Sequence, residues 1–158
     1  MSNRNEYEYR AAYHDEWQEA MELAWRVFLK FDAADYSALG VKSFHNFISD
    51  NTLYKMFRLG SYQLFGAYDK GKMVGMISLR NEEHISLLFV DEHYQKKGIG
   101  RNLIDQVRGY LLTEVGGNRM TVNASPMAVG FYHRLGFTDL GPEQITDGIR
   151  YTPMQFYL

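Results

Sequence analysis

The segment Gln95-Lys96-Lys97-Gly98-Ile99-Gly100-Arg101 constrains this chain more than any other. Before it, residues 85–90 form a nearly unbroken apolar run, as expected of a central strand buried on both faces. After it, Ile99, Leu103, Ile104, Val107, Leu111 and Val115 mark one face of a helix. A buried strand, a glycine-containing loop and an amphipathic helix in that order imply a sheet covered by helices. The glycines lack Cβ, so the backbone there can approach a ligand closely. The first amides of the helix have no intrahelical partner and stand at the positive end of its dipole. Such a site suits a phosphate or pyrophosphate, and Lys96, Lys97 and Arg101 add charge to it. A glycine pair also fits a plain, tight strand–helix connection. Spacing disfavours two other nucleotide loops. A Rossmann fingerprint needs a third glycine where this chain has Leu103, with its glycines directly after the strand, yet seven residues separate Val90 from Gly98. A Walker loop needs Gly-Lys-Ser/Thr, which is absent.

The rest of the chain supplies the elements around this segment. Tyr7, Tyr9 and Ala11 alternate with charged residues and suggest a first strand. Trp17, Met21, Ala24, Trp25 and Phe28 predict a helix over residues 14–30, followed by a polar loop over residues 32–39. Val41, Phe44, Phe47 and Ile48 predict a shorter helix. Two β-rich runs, 62–68 and 73–79, flank Asp69-Lys70-Gly71-Lys72 and read as a hairpin. The long helix ends at Gly116-Gly117. A short strand over 120–123, a short helix over 128–135 and closing strands over 137–140 and 150–157 follow. This order argues for a mixed sheet with helices on both faces, in one continuous domain over residues 1–158.

Composition removes several function classes. Net charge is −2, and no Lys/Arg run exceeds two residues, which disfavours sequence-independent nucleic-acid binding. With no cysteine there is no disulfide, thiolate metal site or cysteine nucleophile. His14, His45, His93 and His133 lack metal-like spacing, so no metal is expected. Residues 1–10 are polar, and no segment approaches the ~20 apolar residues of a membrane span. A soluble cytoplasmic protein without a membrane or nucleic-acid partner is the expectation.

The glycine segment resembles the Gln/Arg-x-x-Gly-x-Gly/Ala pattern of the GNAT N-acetyltransferases, and Leu88-Phe89-Val90 stands where that family's preceding strand ends. A second segment, Ala128-Val129-Gly130-Phe131-Tyr132-His133-Arg134-Leu135-Gly136-Phe137, resembles the family's Ala-x-x-x-Tyr-x-x-x-Gly-Phe. Read alone, that second segment is a short helix with Phe131 and Leu135 on its apolar face, and Tyr132 is an ordinary helix aromatic. The resemblance implies an α/β (α+β) GNAT fold, with a mixed, mostly antiparallel central sheet of about six or seven strands flanked by helices on both faces.

The resemblance also implies an activity, transfer of an acetyl group from acetyl-CoA to an amine by direct attack. The backbone of Leu88, Phe89 and Val90 would pair with the pantetheine arm. The amides of Gln95, Lys96, Lys97, Gly98, Ile99, Gly100 and Arg101 would hold the pyrophosphate. Many members carry Asn seven residues before the tyrosine; here that position is Ser125, with Asn123 two residues earlier, and either could bond the arm. Tyr132 would protonate the leaving thiolate, and His84 is the candidate base, its ordinary pKa of about 6.5 suiting the task. His84 read structurally is a histidine packed at a strand start. The acceptor would bind at Asp35 and Tyr36, with Arg150, Tyr151 and Met154 on the far side. The acceptor could be a polyamine, an aminoglycoside, a small amine or a protein amine. A homodimer through residues 54–59 or the last strand is a further expectation. The alternative is a non-catalytic acyl-CoA sensor, which would keep the phosphate loop without needing Tyr132.

Overall fold

A computed structural model describes residues 6–158. The polar residues 1–5 lie outside the described residues.

The turn at Lys70-Gly71 organises the middle of the chain. Both residues have positive φ, +50° and +86°, as a type I′ hairpin turn requires. From it β2 (Tyr62–Asp69) and β3 (Lys72–Arg80) pair antiparallel. β1 (Glu8–Ala11) adds to β2, and β4 (His84–Val90) adds to β3, both antiparallel. β5 (Arg119–Ala124) is the parallel neighbour of β4, and β8 (Ile149–Tyr157) runs antiparallel to β5. Two short strands, β6 (Thr138–Asp139) and β7 (Gln144–Thr146), both pair with β8. The sheet thus has eight strands in the order β1-β2-β3-β4-β5-β8-β6, with β7 off this path.

Each face of the sheet carries its own core. On one face α4 (Ile99–Tyr110) and α5 (Val129–Arg134) bury Leu103, Val107 and Tyr132 against Ile77, Val122 and Phe137. Gly75 lets α4 settle on the sheet: a Cβ there would lie 2.9 Å from the Ile99 side chain and 3.2 Å from Leu103. On the other face α1 (Trp17–Val27) and α3 (Asn51–Leu59) bury Met21, Ala24, Leu53 and Phe57 against Tyr62 and Met76. α2 (Ala38–Ser49) packs beside them.

Three elements differ from the sequence reading. The first helix does not stop at Lys30: a π-helical turn over Phe28–Asp32 and a 3₁₀ turn over Ala33–Asp35 continue it. Aromatic burial holds this extension, since Phe28 stacks on Phe44 at 4.0 Å and on Tyr36 at 5.3 Å. The expected loop over 32–39 therefore begins as helix. α3 is a further helix, over a stretch to which the sequence reading assigned no element. Its signals are local: the Asp50 carboxylate accepts from the Thr52 amide at 2.8 Å, and Gly60 closes the helix at φ +86°. β7 is an extra strand of three exposed residues, defined by the Asp147-Gly148 turn (φ +53° and +77°) that folds it onto β8. Among the described residues no helix is long and apolar enough to cross a membrane.

Candidate active site

A single extra residue opens the sheet. In the β3–β4 ladder Ser78 pairs with Leu87 and Leu79 with Ile85, so Ser86 is left over as a bulge. A bulge bends its strand and increases its twist. β4 accordingly meets β5 only at His84–Thr121 and Ile85–Val122, and the two strands then part. Beyond Ile85, β4 has β3 on one side and, among the described residues, no strand on the other. This corrects the expectation of a strand buried on both faces: Leu88, Phe89 and Val90 are only partly buried. Their unpaired edge can accept an extended, amide-bearing ligand as an added strand would.

The glycine loop follows directly from that edge. The buried Asp91 carboxylate anchors it, accepting from the His93 amide at 2.8 Å and from the Arg26 guanidinium at 2.7 Å. Burial pushes the Asp91 pKa up, but these donors outweigh it and hold the carboxylate below its ordinary range. Gln95 bends back and donates to the Val90 carbonyl at 2.6 Å, pinning the loop to the strand. Gly98 is the N-cap of α4 at φ +82°. The first intrahelical bond runs from the Asn102 amide to the Gly98 carbonyl, so the amides of Ile99, Gly100 and Arg101 have no partner within the helix. Lys96, Lys97 and Arg101 are exposed beside them and form no ion pair among the described residues. Gly100 faces Phe131 of α5, where a Cβ would approach the ring to 3.2 Å.

A cavity of about 460 Å³ fills the cleft where β4 and β5 separate. Leu88 and Phe89 line it from β4, and Asn123 and Ser125 from the end of β5. Tyr132 of α5 reaches it from one face, and Asp32, Tyr36 and Phe44 from the other. Asp32 is one of the charged groups in its wall. Burial and the neighbouring Asp35 carboxylate raise its pKa to about 6, while the Ser125 hydroxyl pulls it partly back. Tyr132 is almost wholly buried, and desolvation followed by the Asp32 charge pushes its phenol well above the ordinary value. A phenol so placed keeps its proton across the physiological range and can donate it.

The amino-acid pattern of the Acetyltransferase (GNAT) domain matches residues 32–158. The chain belongs to the GNAT acetyltransferase family. Peptidyl-lysine N-acetyltransferase YjaB of Salmonella typhimurium is 34% identical over 80 residues, which span 50% of this chain and 52% of that protein. The chain thus matches about half the length of this curated relative. A GCN5-related N-acetyltransferase from Rhodopseudomonas palustris superposes with a TM-score of 0.82 at 23% identity, covering 96% of this chain and 95% of the other. The PaiA N-acetyltransferase of Thermoplasma acidophilum, solved with coenzyme A, gives 0.77 at 19% identity, covering 96% and 99%. At these identities the likeness is one of fold.

Within this GNAT domain the sequence-derived residues divide into those that converge and those that do not. Leu88, Phe89, Asn123, Ser125, Tyr36, Tyr132, His84 and Tyr151 all line the one cavity, and Gln95 to Arg101 sit beyond its β4 end. Asp35 does not line it. Its backbone carbonyl accepts from Arg150 at 3.3 Å, and its charge acts on Asp32 from outside. Arg150 is engaged by Glu143 at 3.1 Å, and Met154 is fully buried in the α4-side core; neither lines the cavity. His84 lines the cavity but is weakly basic. Burial, then the Arg80 charge, lowers its pKa to about 4, and its Nδ1 is taken up by the Thr121 hydroxyl at 2.9 Å. Asp32 was missed because it fell in the expected loop. Its signal is spacing: it stands four residues after Phe28, the same helical face extended by one turn.

Proposed function

We propose that this GNAT domain transfers the acetyl group of acetyl-CoA to an amine, with Asp32 as proton acceptor and Tyr132 as proton donor. The observation that carries the reading is that both groups face one cleft, at an unpaired strand edge that leads into an anion-binding helix start. Acetyl-CoA supplies the acetyl thioester. The edge of Leu88 to Val90 suits its pantetheine amides, and the amides of Ile99, Gly100 and Arg101, with Lys96 and Lys97, suit its pyrophosphate. Asn123 and Ser125 stand across the cleft from that edge.

The protein must then manage two protons. An alkyl ammonium with a pKa of about 10.4 cannot attack until it loses the first, which passes to solvent. Asp32, ionised above about pH 6, attracts the ammonium and then receives the second proton from the attacking nitrogen as it bonds the acetyl carbon. Tyr132 donates its phenolic proton to sulfur as the carbon–sulfur bond breaks, and Asp32 returns the proton to Tyr132. His84, discharged by burial and Arg80, serves as a neutral wall. Tyr36 and Tyr151 border the acceptor. Further parts of the reading are a cytoplasmic setting, which the cysteine-free chain suits, and a homodimer through α3, where Leu59 stands 84% exposed. Calorimetry with acetyl-CoA and thiol release with an amine panel test the central reading. Binding with amine-dependent release supports it, binding without release from any amine points to an acyl-CoA sensor, and no binding overturns both.

A further inference from the structure

Arg80 closes β3 at the acceptor end of the same cavity, in register with His84. It is partly buried, and its Nε is sealed from solvent without a hydrogen-bond partner. The other partly buried arginines among the described residues are all paired: Arg10 with Glu16, Arg119 with Glu83 and Arg150 with Glu143. Arg80 forms no ion pair or side-chain hydrogen bond among the described residues, although Glu83 is near in sequence, because Arg119 holds that carboxylate at 3.2 Å. A guanidinium Nε shut off from water without a partner carries a desolvation cost unless something arrives to pair with it.

We infer, building on the acetyltransferase reading, that the acceptor carries a carboxylate which Arg80 binds while the acceptor's amine reaches Asp32. Arg80 lies beside His84 in the cavity wall, whereas Asp32 lies beside Ser125. His84 lines one end of the cleft, and Leu88 lies four residues further along β4, at most about 13 Å at the usual rise, while Ser125 follows the end of β5. That separation calls for several bonds between carboxylate and amine, as in an ω-amino acid, and not for two groups on one carbon. One guanidinium matches one negative charge, since Arg150 is held by Glu143 and His84 is neutral. The remaining cavity carboxylate, Asp147, is exposed on the β7–β8 turn, where its backbone carbonyl accepts from Ser43 at 3.0 Å.

The test compares three acceptors of equal length: 6-aminohexanoate, hexylamine and 1,6-diaminohexane. Wild type should favour 6-aminohexanoate over hexylamine by about tenfold or more in kcat/KM, the usual size of a hydrogen bond to a charged group. Arg80→Gln should abolish that preference through KM, costing 6-aminohexanoate far more than hexylamine, and Arg80→Lys should restore part of it. Hexanoate, which cannot react, should raise the Tm of wild type but not of Arg80→Gln, a readout independent of turnover. Equal use of 6-aminohexanoate and hexylamine, a preference for the diamine, an equal loss on all acceptors in Arg80→Gln, or a hexanoate effect that survives the substitution would each overturn the inference. Failure of all three amines together with absent acetyl-CoA binding would instead remove the acetyltransferase reading, and the hexanoate shift would still decide whether Arg80 binds carboxylates.

Discussion

Gly40 of α2 and Gly148 of the β7–β8 turn meet backbone to backbone, so that a Cβ on Gly40 would collide with the Gly148 carbonyl. Ser43, one turn along α2, donates to the Asp147 carbonyl at 3.0 Å and reinforces the contact. These contacts fasten the hairpin over the proposed acceptor side of the cavity, where Thr146, Ile149 and Tyr151 form part of the wall. Gly40→Ala must push the hairpin away. The expected outcome is a lower Tm and an acceptor KM raised about tenfold, with the acetyl-CoA Kd unchanged, because the phosphate loop lies at the other end of the cleft. Calorimetry and steady-state kinetics on the same preparation check it. A KM equal to wild type would show that the hairpin takes no part in acceptor binding.

Tyr132→Phe separates chemistry from packing. Among the described residues the phenol oxygen makes no hydrogen bond to a protein group, and the ring packs between Phe131 and Phe137 at 5.1 and 5.0 Å. Phe keeps those contacts, so stability should change by less than about 1 kcal/mol. Loss of a positioned general acid costs typically ~10²–10⁴-fold in rate, and kcat should fall by that order with the acetyl-CoA Kd unchanged. A kcat within threefold of wild type would assign the proton to water.

The glycine turn into α4 was legible from the sequence because glycine spacing is a backbone requirement, and the Gly98 φ of +82° shows the same constraint in three dimensions. Tyr132 was legible because its helix is pinned by Phe131 and by Gly136 at φ +100°. What escaped was set by tertiary contact. Whether Phe28–Asp32 continues a helix depends on Phe44 and Tyr36 arriving from elsewhere, and without that turn Asp32 does not face the cavity. Asp35 looked equivalent in the sequence, yet the Arg150 contact and the 3₁₀ turn carry it outside. The basicity of His84 was equally invisible, since it depends on burial and on a guanidinium one strand away.

Gly98→Ala and the triple substitution of Lys96, Lys97 and Arg101 to Ala probe the loop by different physics. At Gly98 a Cβ meets no atom within 4 Å, so the cost is backbone strain alone, on the order of 1–2 kcal/mol for a left-handed φ. If the loop relaxes to avoid it, the helix amides turn away from the phosphates and acetyl-CoA binding weakens about tenfold at any ionic strength. The triple variant should instead bind acetyl-CoA with a much flatter salt dependence, since exposed charges act through a screened field. Titrations at two salt concentrations distinguish them, and an unchanged Kd in both variants would place the pyrophosphate elsewhere.

Asp32 and His84 make opposite pH predictions. The folded state raises the Asp32 pKa from 3.8 to about 6, so it holds that proton more tightly than the unfolded chain. This contribution to stability is fully present below pH 4 and is lost as pH rises through 6, a difference on the order of 2–3 kcal/mol. His84 has the reverse sign. Its pKa is lowered from 6.5 to about 4, so it favours the folded state above pH 6.5 and loses that advantage as pH falls toward 4. Asp32→Asn should therefore be more stable than wild type at pH 8, yet lose most of its kcat/KM and the acid limb near pH 6 that an ionised base produces. His84→Gln should keep that limb and retain kcat within a few-fold, while becoming less sensitive to unfolding between pH 6.5 and 4. Thermal melts across this range, with kcat/KM profiles for both variants, assign the base. A limb that disappears in His84→Gln and survives in Asp32→Asn would transfer the role back to the histidine.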